Sequence, residues 1–341
     1  SRLSATITTT GINGTTSSIL TLGTKSGTYK VTAQGSMKAT FKVTAIPGTV
    51  SILSEVNGND QISTVTTTLS PFVVQVIDTY GNPIAGHQVH WEIIESPAES
   101  RLSATITTTG INGTTSSTLT LGTKSGTYRV TASGSMEATF TATATPDTAD
   151  ILEEVSGNGQ TGTVATTLTP FVVKVTDTYG NPIAGHLVHW QIIGLEAGAS
   201  LSTTTTTTGI DGTTSSTLTL GTKSGTYQVI ASGSMQATFT ATATPGTADI
   251  LAEVSGNGQT STVTTTLTPF VVRVTDIYGN PIVGHSVHWE IIESPSAAIL
   301  STATTTTGID GTTSSTLTLG TKSGTYQVTA SGSMEATFTA M

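Results

Sequence analysis

The chain repeats itself every 99 residues: Pro71-Phe72-Val73-Val74 returns as Pro170-Phe171-Val172-Val173 and as Pro269-Phe270-Val271-Val272. Gly11, Gly110, Gly209 and Gly308 keep the same step, and the copies align without gaps. The last two copies agree at about four residues in five. A period of this size constrains the fold more tightly than any local propensity. A unit of roughly 100 residues can bury its own core, so each copy reads as a domain rather than a rung of a solenoid. The copies open at Pro47, Pro146 and Pro245, which predicts domains at 47–145, 146–244 and 245–341. Residues 1–46 match only the second half of a repeat.

The second copy shows what each domain contains. A first strand is expected over Ala149–Val155, then a Gly/Asn-rich loop over Ser156–Gly162. Pro170–Asp177 forms the next strand, with Phe171, Val173 and Val175 on one face. Tyr179-Gly180-Asn181-Pro182 makes a tight reversal, because Gly and Asn tolerate the backbone it needs. Leu187–Ile193 alternates Val188, Trp190 and Ile192 inward, as a pleated strand must. A Thr-rich strand, Leu201–Thr208, ends at Gly209-Ile210-Asp211-Gly212. Three more strands carry Leu218 and Leu220; Tyr227, Val229 and Ala231; and Ala237, Phe239 and Ala241. About seven short strands separated by turn signals predict an all-β sandwich of immunoglobulin type. Trp91, Trp190 and Trp289 are expected in the core, together with Tyr128, Tyr227 and Tyr326, which stand at the sixth strand as Tyr29 does in the half repeat. Apolar residues would take the place of the usual disulfide, since the chain has no cysteine.

Composition agrees with several thin sandwiches rather than one large core. Charged residues are 10% and hydrophobic residues 35%, with Thr, Ser and Gly abundant. The net charge is −9 and the 12 basic residues are scattered singly, so no basic stripe for nucleic acid or for a membrane surface is present. No run of 18 apolar residues occurs in the sequence. Ser1 is not a translational start, and the sequence reads as a mature or truncated piece of something longer.

Three stretches recur in fixed order: Val-x-Asp-x-Tyr-Gly-Asn-Pro-Ile-x-Gly-His-x-Val-x-Trp, then Thr-Thr-Gly-Ile-Asp-Gly, then Ser-Gly-Thr-Tyr-x-Val-x-Ala. Together they resemble the bacterial immunoglobulin-like domain of group 1, which forms the stalks of intimin- and invasin-type adhesins. The likeness covers the whole chain. It implies an extracellular, cell-surface stalk, and it implies no receptor-binding tip, because neither an outer-membrane barrel nor a lectin-like tip is present in these residues.

The residues that could carry chemistry are few. His186 and His189, with His87/His90 and His285/His288, stand three apart, which on a strand puts them on opposite faces and prevents chelation of one ion. Leu220-Gly221-Thr222-Lys223-Ser224-Gly225 has the residue types of a phosphate loop but not their order, and a strand follows where a helix would be needed. It reads as a turn. Asp150, Glu153, Glu154 and Asp177 could hold calcium through oxygen ligands near a domain junction. Against this, Glu153 is Ala252 in the next copy and Asp150 is Ser51 in the first. Solvated surface is the preferred reading, and no cofactor is expected. Lys174 has outward parity, which argues against an internal isopeptide staple. The run Thr203–Thr208 reads as an exposed strand face rather than an ice-binding or glycosylated one. Asn13-Gly14-Thr15 and Asn112-Gly113-Thr114 have the form of glycan sequons. The loop Gly194–Ser200, the longest stretch that differs between copies, holds no nucleophile–base pair.

The expectation is therefore a non-catalytic extracellular stalk or fibre segment, with neighbouring repeats as its partners. At ~3.3 Å per residue, eight-residue strands make each domain at least ~26 Å long, so three span at least ~80 Å. The alternatives are a carbohydrate- or receptor-binding module, with exposed candidates at Tyr80, Tyr179 and Tyr278, and a self-assembling filament subunit in which copies of the chain associate. The half repeat lacks the Trp strand and the Phe-Val-Val strand, so Leu20, Leu22, Tyr29, Val31 and Phe41 should expose apolar faces. The simplest expectation is that more repeats precede Ser1; the other is completion by a partner chain through strand addition.

Overall fold

The computed structural model describes residues 1–194, 197–233, 235–332 and 334–341. Every regular element among them is a β-strand. The chain divides into two compact units, Ser1–Thr148 with Asp177–Asn181, and Ala149–Thr176 with Pro182–Met341.

Within the second repeat, one sheet pairs Ile151–Ser156 with Phe171–Thr176 and the latter with Thr213–Ser216. The facing sheet runs, in spatial order, Gln160–Thr163, Gln236–Thr244, Gly225–Ser232, Leu187–Gly194 and Thr205–Thr207. All its pairings are antiparallel except the first, which is parallel. Side chains that alternate inward from both sheets meet between them, as the period of two requires. Phe171 stacks on Phe239 with ring centroids 4.8 Å apart, and Trp190 tilts against the same Phe at 6.0 Å. Trp190 is 2% exposed and Tyr227 fully buried. The indole keeps its polar atom satisfied by donating Nε1–H to Thr206 Oγ1 at 2.8 Å. The Tyr227 hydroxyl donates to the Lys223 carbonyl, four residues upstream, at 2.8 Å. Trp91 and Trp289, with Tyr128 and Tyr326, occupy the same places in separate hydrophobic clusters.

The sandwich matches the sequence reading, with more and shorter strands than it anticipated. The Thr run Leu201–Thr208 is two strands, Ser200–Leu201 and Thr205–Thr207, which join different sheets. Nor is it simply an exposed face. Thr206 serves the indole, and Thr208 is buried, donating to the Ile183 carbonyl at 2.6 Å and accepting from His186 N–H at 2.9 Å. The Gly/Asn loop contains the short parallel strand Gln160–Thr163, braced by the Gln160 amide, which donates to Gly157 and Thr169 carbonyls and accepts from Thr169 N–H. Thr213–Ser216 adds an edge that its Thr/Ser composition concealed, because no apolar alternation marks it.

Candidate functional site

Two segments that look like independent turns in the sequence meet in the fold. They are Asp-x-Tyr-Gly-Asn-Pro and the Thr-Lys-Ser turn of the preceding repeat. In the first unit, Asp78–Asn82 closes on itself through Asp78 N–H to the Asn82 carbonyl at 3.0 Å and Gly81 N–H to the Asp78 carbonyl at 3.0 Å. Gly81 has φ +77° there, a left-handed conformation that glycine adopts without strain. The Asp78 carboxylate sits inside the turn, 1% exposed. Its Oδ1 accepts from Tyr80 and Asn82 N–H at 2.9 and 2.8 Å. Its Oδ2 accepts from Gly48 N–H and from Asn82 Nδ2, both at 2.8 Å. Burial alone would raise its pKa, but the hydrogen bonds from the Asn82 side chain and from the Gly48, Asn82 and Tyr80 amides outweigh it, so the carboxyl titrates far below the ordinary range.

Asn82, 5% exposed, faces the other way as well. Its Nδ2 donates to the Thr24 carbonyl at 2.7 Å, and its Oδ1 accepts from Ser26 N–H at 2.9 Å. Gly48 follows the proline that opens the repeat. One carboxylate therefore fixes both the connecting segment and the side chain that grips the turn of the half repeat. The second unit repeats the arrangement. Asp276 accepts from Gly246, Tyr278 and Asn280, while Asn280 binds the Thr222 carbonyl and Ser224 N–H, each at 2.8 Å. Burial, opposed by the Asn280 side chain and the surrounding amides, again leaves the carboxyl below its usual range. Asp177–Asn181 belongs to the first unit, where Asn181 binds the Thr123 carbonyl and Ser125 N–H at 2.8 and 2.9 Å and Lys124 Nζ donates to the Tyr179 carbonyl at 2.7 Å.

The other candidates do not come together. Asp150, Glu153 and Glu154 are exposed, while Asp177 is buried with its carboxylate occupied by Asp147, Tyr179 and Asn181 donors. A carboxylate offers about four lone-pair positions, and four such bonds fill them. No group of three or more His, Asp or Glu suited to a metal occurs among the described residues. His189 is exposed, with Nδ1 3.3 Å from Thr205 Oγ1. His186 is half-buried and tucks under the Ser232-Gly233 turn, where a Cβ on Gly233 would stand 2.8 Å from Nε2. Lys174 is half-buried on the Phe-Val-Val strand. In the loop Gly194–Ser200, residues 195 and 196 lie outside the described residues. Sequence reasoning missed the Asp–Asn clamp. The available signal was that Asp, Gly and Asn recur together in every complete copy, more than a simple reversal needs.

No protein-family profile matches the chain, and no curated protein matches it in sequence. Solved structures do. The Escherichia coli adhesin FdeC superposes with a TM-score of 0.54 at 21% identity, over 87% of this chain and 100% of that one. InvD of Yersinia pseudotuberculosis aligns at 19% identity over 82% of this chain and 84% of the other, with a TM-score of 0.45. The likeness to FdeC establishes the fold as tandem immunoglobulin-like sandwiches.

Proposed function

We propose that this chain is a non-catalytic spacer segment of a bacterial surface adhesin, in which domains at 47–145, 146–244 and 245–341 act in series. The observation that carries the reading is the repeated Asp–Asn clamp. The Asp and Asn that recur in every complete copy converge on a joint, where a catalytic or ligand site would gather them in a cleft. The fold shared with an adhesin supports a cell-surface setting. Four hydrogen-bond donors already occupy the buried carboxylate, which supports a joint held without calcium. Short connecting segments such as 46–49 keep neighbours close.

Single-molecule stretching tests this. A spacer built of equal domains unfolds in discrete events, each releasing about 300 Å of chain at roughly 3.3–3.6 Å per extended residue. Irregular release, or a specific hit on a glycan array traced to Tyr80, Tyr179 or Tyr278, would replace the spacer with a binding module.

A further inference from the structure

We infer that Asn82 and Asn280 are the residues through which adjacent repeats are mechanically coupled, with Asp78 and Asp276 as the positioning residues that hold each amide in its working orientation. The inference deepens the spacer reading by assigning its stiffness to a named contact.

Each Asn spends its hydrogen-bonding groups on two different repeats. In the second unit, one Nδ2 proton goes to Asp276 Oδ2 within the third repeat, while the other proton and Oδ1 go to Thr222 and Ser224 of the second. The amide cannot rotate without breaking bonds on both sides. It is 7% exposed, so water does not readily replace them. Asp276 is fully buried and ionised, and it accepts from Asn280 at the backbone as well as the side chain, which fixes both ends of that residue. It also accepts from Gly246 N–H, so the connection between the two repeats is tied to the same carboxylate. The partner surface is a Thr-Lys-Ser turn read through main-chain atoms, a carbonyl and an N–H two residues apart. That turn is itself stiffened by the Tyr227 hydroxyl bound to the Lys223 carbonyl between them. The coupling path is therefore continuous from a core Tyr of one repeat to a buried Asp of the next.

The chain has no cysteine, so Gln191→Cys and Glu290→Cys, both exposed and on equivalent strands, give unique spin-label sites in the 341-residue chain. Pulsed electron-resonance spectroscopy then reports the distance distribution between the second and third repeats. Asn280→Ala should broaden it at least twofold. Ser224→Pro, which removes the N–H donor from the opposite side of the joint, should broaden it equally, and the double variant no further. Asn257→Ala, which breaks a bond from Thr339 N–H inside the third repeat, should leave the width unchanged. If Asn280→Ala unfolds the third repeat, by loss of the Trp289 near-ultraviolet signal, Ser224→Pro decides alone. An unchanged width in both folded variants, or widening that adds in the double variant, overturns the coupling. The spacer reading would survive that result and stand or fall on the stretching experiment.

Discussion

Residues 1–18 and 100–117 have the same sequence, yet they do not have the same structure. In the complete first repeat, Ile106–Thr108 pairs with the Trp91 strand and Thr114–Ser117 pairs with the Phe72 strand. The matching residues 7–9 and 15–18 form no strand. What persists in both is local. Gly14 and Gly113 have φ of +75° and +74°, and the hydrogen bond from Gly11 to Thr15 recurs from Gly110 to Thr114, each at 2.9 Å. The terminal hairpin also keeps its register, Val31 opposite Phe41 and Val130 opposite Phe140. Burial does not persist. Phe140 is fully buried against Phe72 and Trp91, whereas Phe41 is 60% exposed beside an open groove of about 430 Å³ that Leu3, Leu20 and Val31 also line. Turns and hairpins are thus specified by their own residues. The Thr-rich strands form here where another strand offers them a ladder, because β-propensity expresses fit to a neighbouring pleated surface more than a preference of the isolated backbone.

The largest test of this contrast is truncation of the paired phenylalanines. Phe140→Ala should destabilise the first repeat by about 3–5 kcal/mol through lost transfer energy and a cavity, and Trp190→Ala should cost the second repeat a similar amount. Phe41→Ala should change stability by less than about 1 kcal/mol. Denaturant titration followed by Trp91 fluorescence reads the first of these, and equal effects at Phe41 and Phe140 would mean that the half repeat has a core after all.

Next come the paired glycines. A Cβ on Gly113 would lie 2.6 Å from the Val76 carbonyl and close to Pro83, while nothing lies within 4 Å of one on Gly14. Both alanine variants carry the left-handed backbone cost of about 1–2 kcal/mol. Gly113→Ala should add about 1–3 kcal/mol of crowding on top. Similar thermal shifts in the two variants would show that the Pro83 turn yields.

A smaller effect is expected from acid. The Asp78 carboxyl has a depressed folded pKa against an unfolded value of about 3.9. A depressed acid contributes stability above its unfolded pKa and loses it as pH falls toward the folded one. Melting temperature should therefore drop below about pH 4, and Asp78→Asn should flatten that drop. A profile unchanged by the substitution would remove Asp78 from the account. The smallest expected effect is that of a chelator, which should shift melting by less than about a degree. A calcium-dependent shift of several degrees would restore the exposed acids Asp150, Glu153 and Glu154 as ligands.

Much of this architecture is legible in the chain. The period is visible in Phe171, Val173 and Val175, whose alternation survives in every copy, and the core Trp and Tyr follow from strand parity. The joint is not legible, because the recurrence of Asp, Gly and Asn does not say which partner they meet, and Asn181 and Ser125 are brought together only by folding. Thr206 and Thr208 are hidden for a related reason. Six threonines in a row carry no pattern to show which hydroxyls face an indole or a buried carbonyl.

The clamp reads its neighbour through a carbonyl and an amide hydrogen, groups that every residue except proline supplies. Substitutions in the Thr-Lys-Ser turn consequently leave the joint's recognition atoms in place, and the two sides need not change in concert. A duplication of one whole period brings a new clamp and a new acceptor turn in a single event. Unequal crossing-over between near-identical copies can then lengthen or shorten the array by whole domains, and each new junction is competent from the moment it arises.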